Sequence, residues 1–272
     1  MLMAASVAAQ PSATSAEKVP DQLKGVGVTE HLKAQVPLSL EFTDSSGKTV
    51  KLADYFEAGR PVILTLNYYS CPMLCTLQLN GLTEGMKGLS WGPGQEYEVV
   101  TVSINPLESY ALAASKKQTY LKELQRPSAG PGWHFLVGRQ DEISRLADAV
   151  GFRYKFDKKT GQFNHVAALM LLTPDGHIAR YLYGIDYPTK TLKLGLVEAS
   201  HGKIGSTIDK IILYCCRYDP NSRRYTPVAR NIMRLGGGVT AVSLALVLGT
   251  LWVRERRRHA HRPESDSQGT ET

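Results

Sequence analysis

The sequence RPVILTLNYYSCPMLC, residues 60–75, is an apolar run that ends at two closely spaced cysteines. Its first half is largely apolar and lies between two prolines, which predicts a buried central strand. From Cys71 to Leu89 the apolar residues recur at helical spacing, which predicts a helix that begins at the first cysteine. The side chains expected to face the core on that helix are Leu74, Leu77, Leu82 and Met86.

On both sides of this stretch, strands and helices alternate. Further strands are predicted at 97–105 and 133–138, further helices at 108–124, 141–150 and 188–199, and strand pairs within 37–56 and 165–184. This alternation favours parallel pairing, and a Pro-Asp-Gly turn at 174–176 adds an antiparallel edge. A strand that runs directly into a cysteine-bearing helix is the thioredoxin-like arrangement. The predicted fold class is therefore α/β, a three-layer α/β/α domain of the thioredoxin-like type in its peroxiredoxin-like variant.

The two cysteines, Cys71 and Cys75, carry the strongest chemical signal. Residues four apart lie on the same side of a helix, and a helix N-terminus favours thiolate over thiol. The two sulfurs could bind one soft metal ion, such as Cu(I) or Zn(II), or close one disulfide. The alternative is a pair of buried structural cysteines, which their position between a strand and a helix disfavours.

The positive charge of the chain is confined to one region. The 272 residues carry a formal charge of +7, and residues 217–262 contain ten arginines, no lysine and two acidic residues. The rest of the chain has 22 basic against 23 acidic residues, so the globular part lacks the basic face that binds nucleic acid. Four cysteines are too few for a disulfide scaffold.

An uncharged apolar segment lies inside this basic region. Residues 235–253, LGGGVTAVSLALVLGTLWV, would rise about 28 Å as a helix, which is close to the thickness of a bilayer's hydrocarbon core. Four arginines follow within five residues, which favours one transmembrane helix over a buried core helix. The positive-inside rule then places the tail in the cytoplasm, so that the globular domain lies on the periplasmic side of the inner membrane.

The predicted organisation has five parts. They are a leader or tether with the character of a signal remnant (1–36), the thioredoxin-like domain (37–216), a basic linker (217–234), the transmembrane helix (235–253) and a basic tail (254–272).

Four motifs in order carry a family resemblance. The runs LTLNYYSCPMLC, VSINP, WHFLVGRQDEISRLADAVGF and NHVAALMLLTPDG make residues 37–200 similar to the SCO/SenC family. This resemblance implies a membrane-anchored, thioredoxin-like copper chaperone for cytochrome c oxidase assembly. In that family two cysteines and one distant histidine bind copper, which here implies Cys71, Cys75 and His165. The implied partners are the copper-bearing subunit of cytochrome c oxidase and a second copper chaperone.

The residues alone support His165 less specifically. An imidazole would make a linear two-thiolate site trigonal and let it hold Cu(II) as well as Cu(I). In a thioredoxin-like fold the loop that enters the late edge hairpin packs against the cysteine loop, which brings His165 within reach. The chain has seven histidines, however, and the residues alone leave the other six open.

The sequence departs from the family pattern at three places. Thr76 stands where proline often follows the second cysteine, and Asn105 stands where the family commonly has aspartate before proline. The loss of that carboxylate bears on proton-coupled thiol chemistry more than on metal binding. The apolar helix is C-terminal, whereas the family anchor is usually N-terminal.

Three functions use such a cysteine pair. A copper metallochaperone needs His165, whereas a thiol–disulfide oxidoreductase that reduces a partner metalloprotein does not. A peroxiredoxin-like peroxidase is disfavoured, because no Thr or Ser stands three residues before Cys71. Met73 is expected to pack rather than to add a thioether ligand, and Cys215 and Cys216 are expected to be small buried apolar residues.

Overall fold

The computed structural model of the protein describes residues 25–56, 58–201, 205, 207–219 and 221–260. The chain forms two compact units, Met1–Ser200 and His201–Thr272.

The described part of the first unit contains eleven strands. They are β1 (Gly27–Val28), β2 (Glu41–Asp44), β3 (Thr49–Lys51), β4 (Val62–Asn67), β5 (Glu98–Ser103), β6 (Trp133–Val137), β7 (Phe152–Arg153), β8 (Lys155–Asp157), β9 (Gln162–Asn164), β10 (Ala168–Leu172) and β11 (Ile178–Tyr183). Its α-helices are α1 (Leu74–Lys87), α2 (Tyr110–Leu124), α3 (Gln140–Ala149) and α4 (Thr189–Ala199).

Seven of these strands form one mixed sheet in the order β11-β10-β4-β5-β6-β2-β3. The three central strands β4, β5 and β6 are parallel, and the outer strands pair antiparallel to them and to one another. Every residue of β4 and β5 is buried, as a continuously apolar central strand requires. The predicted α/β class and the antiparallel edge hairpin at 165–184 are therefore observed.

Helices cover this sheet. Ile143 and Leu146 of α3 join one buried cluster with Leu64 of β4 and Val100 of β5. Helix α1 contacts both α2 and α4, and α4 also packs on the edge strand β11 and on its neighbour β10. Because β10 pairs with β4, the loop before β10 lies close to the loop between β4 and α1.

The start of α1 differs from the prediction. The helix begins at Leu74, because Cys71 belongs to a turn in which its backbone N–H donates to the carbonyl of Tyr68 at 3.2 Å. The buried face of α1 includes Leu79, which is 3% exposed, but not Leu77, which was predicted to be core and is 41% exposed. Met73 is 66% exposed, so the expectation that it packs was wrong.

The segment that we predicted to be a tether contains ordered structure near its end. Strand β1 pairs antiparallel with β7, and Val36 is buried in the core cluster. Apolar Val28 and Val36 give this segment a reason to pack, but a two-residue strand leaves almost no periodic pattern to detect. The hairpin of β8 and β9 was also not predicted, since it is mostly polar and exposed.

The second unit combines helices with a short hairpin. Its elements are α5 (Thr207–Cys215), β12 (Cys216–Asp219), β13 (Arg224–Pro227) and α6 (Ala229–Ala260). Strands β12 and β13 pair antiparallel, and the Asn231 side chain donates to the carbonyl of Tyr214 at 2.6 Å. Thus the stretch that we predicted to be a basic linker contains a hairpin and the first turn of α6.

Helix α6 includes the predicted transmembrane segment. Among the described residues, its stretch Asn231–Arg254 is long and apolar enough to cross a membrane, judged by length and composition. Its apolar side chains, including Leu246 and Trp252, are exposed.

Candidate metal centre

The three predicted site residues lie at the end of the sheet where β4 leads into α1 and where β10 begins. Cys71 lies in the turn between β4 and α1, Cys75 lies in the first turn of α1, and His165 lies three residues before β10. Antiparallel pairing sets Thr65, near the end of β4, opposite Leu169, near the start of β10. The fold thereby brings together residues that are 90 positions apart in the chain.

The three side chains form a compact cluster. The sulfurs of Cys71 and Cys75 and a ring nitrogen of His165 all lie within 4.8 Å of one another. Cys75 Sγ and His165 Nε2 lie 3.0 Å apart. All three residues are buried, with relative exposures of 8%, 2% and 7%. Both cysteines are free thiols rather than a disulfide.

The His165 ring is oriented by its own backbone neighbour. Its Nδ1 lies 2.9 Å from the carbonyl oxygen of Val166, so Nδ1 carries the proton and donates it. Nε2 then faces Cys75 at 3.0 Å and is the nitrogen through which the neutral ring would bind a metal. The rings of Tyr68 and Phe152 pack beside it with centroid distances of 5.9 and 6.1 Å.

The two thiols have opposite acidities. A hydrogen bond from the Cys75 side chain lowers the pKa of Cys71 to about 3 despite its burial, and the His165 side chain and the backbone N–H groups of Cys75 and Met73 act in the same direction. The backbone N–H of Cys75 lies 3.4 Å from Cys71 Sγ. Burial, together with the neighbouring Cys71, raises the pKa of Cys75. At neutral pH the pair therefore consists of a Cys71 thiolate and a Cys75 thiol.

Two buried amides lie beneath the cysteines and were missed by the sequence reasoning. Asn67 Nδ2 donates to Gln78 Oε1 at 3.0 Å, and Gln78 Nε2 donates to the carbonyl of Ala168 at 2.9 Å. Asn67 and Gln78 are both fully buried, so this chain joins β4, α1 and β10 directly under the site. The sequence offered two weak signals, namely that Asn67 is polar at the end of an apolar run and that Gln78 is polar within the predicted helix.

Other candidate residues are engaged elsewhere. His134 contacts Glu98, with 3.1 Å between His134 Nε2 and a carboxylate oxygen, and His177 pairs with Asp175 at 3.0 Å. The side chain of Cys215 lies outside the described residues, and Cys216 is a half-buried free thiol rather than a fully buried one.

The mixed sheet, the strand that leads into a cysteine-bearing helix and the nearby histidine define a thioredoxin-like protein with a thiol-rich site. A sequence profile of the SCO1/SenC family matches residues 29–194, which is more than half of the chain. The chain belongs to the SCO1/SenC family. No protein of the curated set matches it significantly.

Solved structures show the same fold. An Aquifex aeolicus VF5 protein whose proposed role is electron transfer is 24% identical, with a TM-score of 0.55 over 63% of this chain and 96% of its own. BsSco, a member of the Sco family of cytochrome c oxidase assembly proteins, is 20% identical, with a TM-score of 0.50 over 64% and 97% of the two chains. These likenesses confirm the predicted thioredoxin-like fold.

Proposed function

We propose that the protein is a copper chaperone that holds one copper ion between Cys71, Cys75 and His165. The observation that carries this proposal is the closeness of the three donor atoms, all within 4.8 Å of one another. Two soft sulfur donors select Cu(I), and a borderline imidazole completes a trigonal set that also accepts Cu(II). Membership of the SCO1/SenC family supports copper over other soft ions.

The protonation of the site fits a cation cargo. The Cys71 thiolate needs no proton removed, and binding displaces one proton from Cys75. Two thiolates and one neutral imidazole carry a charge of −2, which attracts a cation. With Cu(I) bound, the net charge of the site is −1, which still allows release of the ion.

Delivery of the cargo would proceed by ligand exchange. We infer that a second copper chaperone supplies the ion and that the copper-bearing subunit of cytochrome c oxidase receives it. The family description of BsSco, an assembly protein for that oxidase, supports this choice of recipient. Cys71 is the more exposed of the two cysteines, so a partner's donor would reach the ion from its side.

The proposed location is the inner membrane, with the copper domain on the periplasmic side. Helix α6 would be the anchor, since its stretch Asn231–Arg254 is long and apolar enough to cross a bilayer. The arginines that follow the predicted span favour a cytoplasmic tail.

Anaerobic Cu(I) titration of the full chain in detergent, in competition with a chromophoric chelator, tests the copper site. We expect one ion per chain, loss of binding in Cys71→Ser, and at least about tenfold weaker binding in His165→Ala, because a ligand is removed. The double variant Cys215→Ser/Cys216→Ser is the matched control and should bind as the wild type does. Full binding by Cys71→Ser would refute the proposal.

The unequal acidities of the two thiols favour a second candidate, a thiol–disulfide oxidoreductase. In that reaction the Cys71 thiolate attacks a partner disulfide to form a mixed disulfide and releases one partner thiolate. Cys75 then loses its proton and attacks Cys71, which releases the second partner thiol and leaves a Cys71–Cys75 disulfide. His165→Ala should spare this reaction while it weakens copper binding, so the two activities can be separated.

A further inference from the structure

The carboxylate of Glu108 accepts hydrogen bonds from the loop that leads into Cys71. Oε2 accepts hydrogen bonds from the backbone N–H of Tyr69 and from the Ser103 hydroxyl, both at 2.7 Å. Oε1 accepts from the backbone N–H of Ser70 at 2.7 Å and from the Ser70 hydroxyl at 2.6 Å. One side chain therefore receives four short hydrogen bonds, three of them from the two residues that precede the cysteine.

The arrangement is that of an anion held by two successive backbone amides. Such pairs of N–H groups form a small positive concavity, and hydrogen bonds to an ionised acceptor are roughly twice as strong as neutral ones. Without the carboxylate, the amides of Tyr69 and Ser70 would lose their partner. The loop would then lose the contact that holds its shape.

The segment after β5 holds Glu108 in place for this contact. The Asn105 side chain accepts from the backbone N–H of Leu107 at 3.0 Å, and the backbone N–H of Glu108 donates to the carbonyl of Asn105 at 3.2 Å. Ser109 then caps α2 by accepting from the backbone N–H of Leu112. Asn105, where the family commonly has a carboxylate, thus shapes the turn that presents the carboxylate of Glu108.

We propose that Glu108 is a positioning residue that holds the cysteine loop ready for copper. Ser70 directly precedes Cys71, whose own N–H closes a turn onto the carbonyl of Tyr68. Fixing Tyr69 and Ser70 therefore fixes where Cys71 Sγ lies relative to Cys75 and His165. A site that is organised before its ligand arrives binds more tightly, because less order must be imposed on binding. This inference rests on the proposed copper function.

The test compares Glu108→Gln with Glu108→Asp in the full chain, by Cu(I) competition titration and by the sulfur-to-Cu(II) charge-transfer spectrum. Glutamine cannot accept from all four donors, so we expect Cu(I) affinity to fall about tenfold or more and the spectrum to shift, as for other residues that support metal ligands. Aspartate keeps the charge with a shorter reach and should recover part of the affinity. Glu84→Gln, an exposed carboxylate on α1 that pairs with Lys87, is the matched control and should change neither readout.

A merely structural role predicts a different pattern. In that case Glu108→Gln would lower the melting temperature of the metal-free chain and leave the affinity and the spectrum of its folded fraction unchanged, which would overturn the proposal. If Glu108→Gln does not fold, Ser103→Ala removes one of the four hydrogen bonds and should weaken binding in the same direction by a smaller factor. Wild-type affinity in Ser103→Ala would then overturn it.

A metal-free readout separates this inference from the proposed function. Glutathione disulfide converts the two thiols into a Cys71–Cys75 disulfide and two glutathione thiols, with no other reactant. We expect Glu108→Gln to lower this equilibrium constant about tenfold, because a loosened loop presents Cys71 to Cys75 less often. A wild-type chain that binds no copper would refute the chaperone function, whereas an unchanged equilibrium constant would refute the role of Glu108.

Discussion

Cys71 and Cys75 lie four positions apart in the chain, and their pKa values shift in opposite directions. The cause is geometric, because the Cys75 side chain and backbone N–H groups of the turn donate towards Cys71 Sγ, which lowers the pKa of Cys71 to about 3. Cys75 is the more deeply buried, and its pKa is raised. The thiol pair therefore contains one sulfur that favours the thiolate, Cys71, and one that keeps its proton, Cys75.

This difference predicts an unusual pH profile for alkylation. Because the thiolate is the nucleophile, the rate of Cys71 modification by iodoacetamide should stay flat between about pH 5 and pH 8, where an ordinary thiol loses roughly tenfold per pH unit below its pKa. The measurement is site-resolved mass spectrometry of the metal-free chain. In Cys75→Ala the largest cause of the lowered pKa is gone, so the rate should fall as the pH falls.

Free cysteine added to the same reaction provides the control, because its thiol has an ordinary pKa and its alkylation follows the steep profile. A Cys71 profile as steep as that of free cysteine would contradict the lowered pKa of Cys71.

At single positions, the sequence pointed to the three residues that cluster at the site, but not to the residues that hold them in place. A cysteine pair at a strand–helix junction can be recognised from the sequence, and the family motif adds His165. Glu108 and Gln78 act through backbone groups of Ser70 and Ala168, which lie 38 and 90 positions away from them. A backbone N–H or carbonyl is the same at every residue, so no pattern of side chains reveals such a partner.

At the scale of elements, two glycines of α1 lie close against neighbouring backbone. A Cβ added at Gly81 would lie 1.9 Å from the carbonyl oxygen of Ile185, and one added at Gly85 would lie 2.4 Å from that of Tyr187. Both obstacles are backbone atoms, which cannot rotate away. These two glycines allow α1 to lie directly against the segment between β11 and α4.

Gly81→Ala should therefore destabilise the first unit although alanine favours helices. The gain in helix propensity is about 1 kcal/mol, and overpacking costs about 1–3 kcal/mol or more when the clash is with backbone. We expect a net loss in the free energy of unfolding, measured by urea denaturation. Asn80→Ala, at the adjacent half-buried position, has no such clash and should leave stability unchanged or slightly raised.

Element positions were predictable where a periodic pattern was long. Strand β4 and strand β5 each bury six residues, and such runs are hard to mistake for loops. The start of α1 was misplaced by three residues, because Cys71 and Pro72 continue the helical spacing of apolar residues although the chain turns there. Strand β1 has two residues and is defined by its pairing with β7, which no local pattern reveals.

At the scale of the whole molecule, the chain carries its apolar helix after the thioredoxin-like unit. Because the arginines that follow this helix favour the cytoplasmic side, the tail from residue 254 should lie inside the cell and the copper domain outside it. We therefore expect protease added to intact spheroplasts to digest the copper domain and to spare the tail. Immunoblots against tags at the two ends of the chain provide the measurement. The same treatment after detergent lysis is the control, in which both parts should be degraded.

A domain that stays intact in spheroplasts and is digested after lysis would reverse the proposed topology. That result would also place the thiols in a reducing compartment and would count against delivery of copper on the periplasmic face.

The separation of 90 positions between Cys75 and His165 also determines when the site forms as the chain folds. A nascent or partly unfolded chain presents two neighbouring cysteines, and the histidine joins them when β10 has paired with β4. Contacts this distant in sequence must first overcome the entropy of closing a long loop. The three-ligand site therefore forms only in chains in which β10 has paired with β4. Copper that binds this site in turn stabilises the folded state by mass action.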